Sequence, residues 1–323
     1  MPSRPLVLPY VVDRAKVAAE TEAFLHHRRF DDAVRLYAGI GLDRFDGDPR
    51  TSKLVCQTAR YVLALAILHL DANTGPAGEG ATATRLRDTL TPGGWSSTGW
   101  VKGALHVFRH AGYVIDEPSA GDRRRKRVVP SPVLMEIAID AMIPTLRALA
   151  VVAPLPLPAE DLARAPGFVG AAATHTMVPN LTDGFSPLEA MPEMAPILRR
   201  DFGFVVFCTL IRSTTKDEGG PDLAEAPSVV LARRFGMARA QARNLLGLCR
   251  EWGWIVAAER GGRNVTLSPH FAELSRRWIA HDLACWSCIV RASARDIGLV
   301  PPKRRASRRQ HRASASTPAG TAA

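Results

Sequence analysis

The sequence predicts a mainly α-helical fold with small β wings, in which two winged helix-turn-helix domains are joined by a proline-rich connector. The prediction depends on three observations. One pattern of apolar residues occurs twice, each copy carries a basic turn between two short strands, and prolines crowd the segment between the copies. Helix, tight turn, helix and then a two-stranded ribbon is the element order of a winged helix-turn-helix.

The two copies align through their apolar and turn residues. Three pairs of landmarks lie 145, 141 and 137 residues apart, in this order: Leu86 with Leu231, Gly112 with Gly253, and Pro132 with Pro269. The offset between the two copies decreases only across the predicted turn and across the predicted hairpin tip. Since insertions confined to loops are typical of a true repeat, we interpret the chain as a tandem repeat.

Composition places the chain among globular proteins. It has 323 residues, 46% of them hydrophobic, which is enough for two domains with ordinary cores. The longest clean apolar stretch, 61–70, is about half of a membrane span. The N-terminus lacks the apolar core of a secretory signal. We therefore expect a cytoplasmic protein with no membrane partner.

Charge and cysteine content narrow the class further. The five cysteines are an odd number in apolar contexts, which argues against a disulfide framework. The net charge of +11 favours a polyanionic partner, although basic charge alone also fits other classes of protein.

The first half of the chain divides into an N-terminal helical extension, 1–50, and a first winged domain, 51–150. The extension is expected to form a helical hairpin over 13–40, and Ser96 or Ser97 is expected to cap the third helix of the domain. The helices of the domain are expected, in order, at 52–72, 82–90, 97–111 and 132–149.

The second half begins with a connector, 151–196, which contains eight prolines. At this density of prolines no long helix is expected. The second winged domain follows at 197–295. Its helices are expected, in order, at 197–212, 227–235, 238–252 and 269–294. The tail, 296–323, is rich in arginine and has no acid after Pro301, so we expect it to be disordered.

The third helix of the second domain is predicted to read DNA bases. Its buried stripe has helical spacing and consists of Ala242, Leu245, Leu246, Cys249 and Trp252. Its outward side chains are Arg239, Gln241, Arg243 and Asn244. Arginine can bond guanine O6 and N7 together, asparagine and glutamine do the same for adenine, and each such pair contributes roughly 1–3 kcal/mol of base discrimination. A solvated basic face is the alternative interpretation.

The equivalent helix of the first domain presents Thr98, Lys102 and His106 outward, together with Trp100 and Gly103. This face is basic, but it has fewer side chains suited to bidentate base contacts. We expect it to contact the DNA backbone more than the bases, or to serve a different partner.

The wing tips are predicted to bind phosphate. Their cations are Arg123, Arg124, Arg125, Lys126 and Arg127 in the first domain, and Arg260 and Arg263 in the second. Cationic loops at hairpin tips contact phosphates or enter a narrow minor groove. Five consecutive cations repel one another, which favours an anionic partner over a role in solubility alone.

The sequence does not indicate an enzyme, a cofactor or a metal site. It has no phosphate-binding glycine loop, no nucleophile elbow and no convincing acid/base pair, so we expect no catalytic residues. His281, Cys285 and Cys288 share one face of a predicted helix, but no fourth zinc ligand is evident. Core packing is the better interpretation of these three residues.

Several of these segments resemble a known family. The stretches 111–114, 121–125 and 128–132 resemble the wing of MarR-type transcriptional regulators, and 231–236 through 253–255 resembles the helix-turn-helix of GntR and MarR regulators. Together they cover about half of the chain. The resemblance implies a bacterial, sequence-specific regulator of double-stranded DNA, with dimerising helices beside the winged body and often a response to small phenolic compounds.

The resemblance has one important departure. Such regulators carry one winged domain per chain, whereas this chain carries two. By analogy, the helices of the dimer interface would pack inside one polypeptide as a fused pseudo-dimer with pseudo-two-fold symmetry, either as a monomer or as a homodimer. A small-molecule effector would then bind between these helices and the wings. The four helices are 52–72, 132–149, 197–212 and 269–294.

Two other functions stay open. Plasmid replication initiators of the Rep type also carry two winged domains related by a pseudo-two-fold axis, and they are basic. A protein-interaction scaffold built of winged helices would use its basic patches for solubility alone.

Overall fold

Most of the chain folds into α-helices, with a few short antiparallel strands. This agrees with the predicted fold class at that level. The computed structural model describes residues 12–39, 52, 56–75, 80–91, 97–118, 126–182, 187–212, 214–215, 223–225, 228–258 and 264–300.

The chain begins with the predicted helical hairpin, here called hairpin 1, which consists of α1 (Arg14–Leu25) and α2 (Phe30–Gly39). Asp13 caps α1 by accepting a hydrogen bond from the backbone N–H of Lys16 at 3.0 Å. Phe30, Ala33 and Tyr37 fall on one face of α2 and are buried.

Unit 1, residues 58–152, follows the predicted order of elements. It consists of α3 (Thr58–Ala72), α4 (Ala83–Leu90), α5 (Thr98–His110), β1 (Val114–Pro118), β2 (Lys126–Pro130) and α6 (Pro132–Val152). The two strands pair antiparallel, with Val114 opposite Pro130. The backbone N–H of Val128 also donates to the carbonyl of Ala81 at 2.7 Å, which ties the residues ahead of α4 to the hairpin.

The connector is more helical than its proline count predicted. It contains α7 (Ala159–Arg164), α8 (Phe168–Thr182), α9 (Pro187–Ala190), a short 3₁₀ turn (Pro192–Met194) and α10 (Ala195–Leu198). The expectation of an irregular segment was therefore wrong for α8, which is 15 residues long.

The positions of the prolines explain this difference. No proline falls between 167 and 178, and Pro179 lies near the C-terminal end of α8. The other prolines precede helices or lie in a first turn, as Pro187 does, where the missing N–H has no helical partner to lose. The number of prolines in a segment therefore does not exclude a helix; the position of each proline decides where a helix can form.

Unit 2, residues 203–296, repeats the order of unit 1. It consists of α11 (Gly203–Arg212), β3 (Thr214–Thr215), β4 (Leu223–Glu225), α12 (Ser228–Phe235), α13 (Arg239–Glu251), β5 (Ile255–Ala258), β6 (Asn264–Leu267) and α14 (Pro269–Asp296). The strand order is β3-β4-β6-β5. Ala224 pairs with Val265, as the Ala81 segment pairs with Val128 in unit 1.

The helix predicted over 197–212 is divided in two. Phe202 has a φ of 63°, in the left-handed region, and it separates α10 from α11. A Cβ atom on Gly203 would collide with the backbone carbonyl of Ile197, so only glycine fits at this bend.

The two units also share their turn and cap geometry. Gly112 and Gly253 end α5 and α13 with φ values of 74° and 68°. In both units the backbone N–H of the next residue donates at 2.9 Å to the carbonyl five residues earlier, as in a Schellman motif. Ser131 and Ser268 then cap α6 and α14, each ahead of a proline in the first turn.

A second helical hairpin, called hairpin 2 and consisting of α7 and α8, precedes unit 2 as hairpin 1 precedes unit 1. The helix contacts fall into matched pairs. Hairpin 1 packs against unit 2 through α1 with α14 and α2 with α11, while hairpin 2 packs against unit 1 through α7 with α6 and α8 with α3. The second helix of each hairpin also crosses to the other long helix, α2 to α6 and α8 to α14, and the two long helices contact each other. Each hairpin therefore packs on both units: on two helices of the unit that does not follow it in the chain and on the long helix of the unit that does.

Two apolar cores result. The smaller core lies mainly in unit 1, where it includes Leu63, Ile67, Leu86 and Phe108, and α8 adds Met177 to it. The larger core joins both hairpins, α6 and unit 2. Polar contacts also link distant helices: the Nε2 atom of His175 in α8 lies 2.6 Å from Oδ2 of Asp296 in α14.

Candidate nucleic-acid interface and an interhelical cavity

The third helices of the two units, α5 and α13, bury the faces that were predicted. In α13 the buried side chains are Ala242, Leu245, Leu246 and Cys249. Trp252 is only partly buried, with its ring centroid 5.1 Å from that of Trp254. The opposite face of each helix is therefore turned away from the core.

Three of the four predicted contact residues of α13 lie on this outward face. Arg239, Arg243 and Asn244 are exposed, and their side chains make no hydrogen bond or ion pair within the part of the chain that the structure describes. Arg239 is the first residue of α13, where the positive end of the helix dipole adds to its charge. This end of α13 is suited to an anionic or acceptor-rich partner.

Gln241 is placed differently. Its side chain is half-buried, and its Nε2 atom donates to the backbone carbonyl of Asp201 at 3.3 Å. The amide therefore joins α13 to the segment ahead of α11. Within the described residues, this internal contact replaces the outward position that the sequence predicted.

In α5 the predicted residues form a sparser face. Thr98 begins the helix, and the side chains of Lys102 and His106 are exposed. Ser97 caps the helix by accepting from the backbone N–H of Trp100 at 3.3 Å. Trp100 itself is partly buried against the core of unit 1.

Only part of the predicted wing cations can be placed. Arg123, Arg124, Arg125, Arg260 and Arg263 lie outside the described residues. Lys126 begins β2 and is exposed.

Arg127 has an internal role instead of a place at the tip. It lies opposite Glu117 in the hairpin, and its Nη2 atom donates to Oε2 of Glu117 at 2.7 Å. Its Nη1 atom lies 4.0 Å from Oδ1 of Asp71 and donates to the Thr74 hydroxyl at 3.4 Å. Burial raises the pKa of Asp71 above its usual value, and the Arg127 guanidinium opposes that rise. Arg127 therefore ties the hairpin to the end of α3.

A second ion pair on this hairpin was not predicted from the sequence. The guanidinium of Arg109, in the last turn of α5, donates to both carboxylate oxygens of Asp116 on β1, with its Nε atom 3.0 Å from each oxygen. This contact fixes α5 against the hairpin. The adjacent acids Asp116 and Glu117 on β1 were the available signal, because each can pair with an arginine that the fold brings close.

A second missed feature is apolar. Ile115 and Val256 follow the matched strand starts of β1 and β5, and they are 49% and 60% exposed. They place an exposed branched side chain on the strand that follows the third helix in each unit.

Away from these surfaces, a cavity of about 380 Å³ lies where α3, α6, α8 and α14 meet. Its walls are mostly apolar, with Leu65, Ile137 and Met142 among the lining residues. Its polar lining residues include Tyr37, Tyr61 and Asp282.

Asp282 lies midway along α14, and burial raises the pKa of its carboxyl to about 6. The Tyr37 hydroxyl donates a hydrogen bond to Oδ2 of Asp282 at 2.9 Å and partly opposes that rise. Burial and the Asp282 charge together raise the pKa of Tyr61 to about 12. Tyr61 is 38% exposed and Asp282 is partly buried, and both line the cavity.

The two thiols that line the cavity are held protonated. Burial raises the pKa of Cys56 to about 12 and raises the pKa of Cys285 well above its usual value, where the Asp282 charge adds to the effect. Since the thiolate is the reactive form of cysteine, neither side chain is activated at neutral pH.

Within the described ranges, no three His, Cys, Asp or Glu side chains are grouped so that they could hold a metal ion. No described helix is both long and apolar enough to span a membrane.

Comparisons with known proteins add no relative. No protein-family model, no curated protein and no solved structure matches this chain.

Proposed function

We propose that this protein is a sequence-specific, double-stranded DNA-binding transcriptional regulator of the MarR type, and that units 1 and 2 are winged helix-turn-helix domains. One observation carries the proposal. Both units have four helices with two antiparallel strands after the third helix, the same glycine turn and the same serine cap on the last helix, and both turn cations outward from the third helix.

Unit 2 is the base reader in this proposal. An α-helix fits the major groove, where arginine and asparagine can each form paired hydrogen bonds with one base. Arg239, Arg243 and Asn244 lie within the first two turns of α13, exposed and without a described partner. The N-terminal part of a recognition helix is the part that contacts base edges in helix-turn-helix proteins.

Unit 1 contributes mainly backbone contacts. Lys102, His106 and Lys126 are exposed on the corresponding helix and strand, but none of them presents the planar pair of donors that distinguishes guanine. A lysine at such a surface binds phosphate as a point charge. The two units would then make unlike contributions to one site.

The helix packing supports a fused pseudo-dimer. Each contact of hairpin 1 with unit 2 has a counterpart between hairpin 2 and unit 1, and the long helices α6 and α14 contact each other at the centre. A closed two-fold interface has this reciprocal character, because every contact occurs twice. One polypeptide would thus hold two DNA-contacting surfaces in a fixed relation.

The test is a salt titration of binding to a duplex of random sequence, followed by fluorescence anisotropy with the full chain. A DNA reader gives a straight line of log affinity against log salt, with a slope of about −0.9 for each phosphate neutralised. No measurable binding, or a slope of zero, would contradict the proposal and favour the protein-interaction scaffold.

A matched pair of triple variants sharpens this test. Replacing Lys102, Arg239 and Arg243 by alanine should weaken binding and flatten the slope. Replacing Arg28, Arg277 and Arg295 removes the same charge from exposed positions outside α5 and α13 and should change both much less. Selection of bound fragments from random duplexes then separates a regulator, which recovers paired half-sites, from a replication initiator, which recovers tandem repeats.

A further inference from the structure

We propose that the cavity between α3, α6, α8 and α14 is a binding site for an organic cation, an ammonium head carried on an apolar, aromatic-sized body. The site does not depend on the proposed function, because it is defined by the interior of the helical core and can be tested without DNA.

The size and walls of the cavity suit a small molecule. Its volume of about 380 Å³ is within the range of ligand pockets, and most of the residues that line it are apolar. Long helices from both halves of the chain contribute, since α3 and α6 belong to unit 1 and α14 belongs to unit 2. Such walls bury the body of a ligand and leave a few polar groups to orient it.

The charge inside the cavity identifies the head group. Asp282 contributes a carboxyl group to the wall, and Tyr37 is its hydrogen-bond partner. Across the described ranges, no lysine, arginine or histidine lies within ion-pair distance of this carboxyl. A buried carboxylate without a cation is costly, because its hydration is lost and no charge replaces it. A ligand ammonium beside Asp282 would supply the missing charge.

The aromatic side chains around Asp282 favour a cation as well. The cavity is lined by five aromatic residues from four helices: Tyr37, Tyr61, Phe204, Trp278 and Trp286. Aromatic faces attract cations, and the attraction grows when the cation is removed from water. The same rings pack against an apolar body, so one lining serves both parts of the ligand.

Two arginines at the edge of the cavity, Arg199 and Arg200, bear on the opposite choice of an anion. Both are exposed, so water and salt screen their charges. An anion deep in the cavity would face the buried charge of Asp282 at much lower dielectric. The carboxylate of Asp282 therefore favours a positively charged ligand over a negatively charged one.

The experiment compares three probes of one shape: 2-naphthylmethylammonium, 2-naphthylmethanol and 2-naphthoate. Each is titrated into the full chain at neutral pH by calorimetry. We expect the ammonium to bind about tenfold or more tighter than the alcohol, since close charge pairs with little water are strongly coupled. We expect the carboxylate to bind most weakly. Equal affinities, or tightest binding of the carboxylate, would overturn the proposal.

Two substitutions locate the site. Asp282→Asn keeps the size of the side chain and should remove the preference for the ammonium while the alcohol still binds. Glu273→Gln, an exposed carboxylate on the same helix, is the control and should leave the preference intact. Ala141→Leu fills space in the cavity wall and should weaken all three probes. Retained preference in the Asp282→Asn variant, or unchanged binding in the Ala141→Leu variant, would place the probes elsewhere.

A pH series on the unaltered chain provides a test that needs no variant to fold. Below pH values near 6, Asp282 gains a proton, so affinity for the ammonium should fall while affinity for the alcohol stays constant. The neighbouring titratable groups, Tyr37, Tyr61 and Cys285, have raised pKa values and stay neutral in this range. A constant ammonium affinity through this range would exclude Asp282 as its partner.

Discussion

Arg127 lies directly opposite Glu117 in the hairpin of unit 1, and the two side chains form an ion pair at 2.7 Å. This cation ends a run of five basic residues, yet its guanidinium is directed to Glu117 on the facing strand and towards Asp71 at the end of α3. Its neighbour Lys126 is exposed. One basic run therefore contains a structural cation next to one that faces solvent.

The first prediction separates these two roles. Arg127→Ala should lower the free energy of unfolding by about 1 kcal/mol, because it breaks a partly screened ion pair and its hydrogen bonds, and it should change the salt slope of DNA binding little. Lys126→Ala should change the free energy of unfolding little and should flatten the salt slope of DNA binding. Urea unfolding and the salt titration measure both quantities, and an equal effect of both variants on the slope would assign Arg127 to DNA as well.

The second prediction concerns base reading. Arg243→Ala should weaken binding to the selected site by ~1–3 kcal/mol and relax the preference at one base position. Gln241→Ala should leave base preference unchanged, because its amide is held by the carbonyl of Asp201. Competition between site variants measures the preference. A sequence-independent loss in Arg243→Ala would show that this residue contacts phosphate only.

The third prediction is a pH dependence of stability. His69 lies between α3 and α8, where its Nδ1 atom is 3.1 Å from the Thr174 hydroxyl, and burial lowers its pKa to about 4. The unfolded chain, with a usual pKa near 6.5, binds this proton more readily. The free energy of unfolding should therefore fall as pH drops through this window, by up to about 3 kcal/mol from this group.

Urea unfolding at neutral pH and near pH values of about 4 measures this loss. His69→Gln should flatten the dependence, whereas His110→Gln, at an exposed position at the end of α5, should leave it intact. An unchanged dependence in His69→Gln would assign the acid sensitivity to other groups.

The fourth prediction concerns Asp282, where the shift has the opposite sign. Its pKa is raised from 3.8 to about 6, so the folded chain holds this proton more tightly than the unfolded chain. Its contribution to stability falls as pH rises through that window, and the full cost is present above it. Asp282→Asn should therefore raise the free energy of unfolding at neutral pH, by up to about 3 kcal/mol, and change it little below pH values near 4. A loss of stability at neutral pH would mean that the carboxylate is better compensated than its surroundings indicate.

The fifth prediction tests the repeated turn. Gly112→Ala and Gly253→Ala should each cost about 1–2 kcal/mol, because both glycines have positive φ and an added Cβ meets no neighbour, so backbone strain alone acts. Gly103→Ala and Gly247→Ala are matched controls inside α5 and α13, also with open space around the Cβ, and they should stabilise by up to about 1 kcal/mol. A cost at all four positions would indicate crowding that the backbone does not explain.

The elements inside each unit could be predicted from the sequence because their signals are local. The third helix of unit 1 was expected at 97–111 and lies at Thr98–His110, since Ser97 caps its start and Gly112 ends it. The residues ahead of the second helix of each unit were not predicted as strands, because β4 and the bond between Ala81 and Val128 depend on residues far away in the chain.

The remaining differences come from long-range packing. The sequence pattern does not predict which helices the two hairpins pack on, because those partners lie far away along the chain. The cavity also needs helices that are far apart in the chain, so no short motif marks it. Of the α13 surface, Arg239, Arg243 and Asn244 lie outward as expected, whereas the internal contact of Gln241 depends on Asp201, 40 residues earlier.

The two hairpins link the two halves of this polypeptide, because each of them packs on both units. A fragment that ends within the connector would lack the contacts that one hairpin makes with the other half, so neither piece retains a complete interior. Co-expressed fragments, in contrast, carry all the complementary surfaces and can reassociate. Because both halves belong to one polypeptide, their sequences can also differ at matching positions. For example, α13 can carry an arginine where α5 has none. In the proposed DNA-binding role, such a molecule is suited to an asymmetric site, because its two units present different side chains.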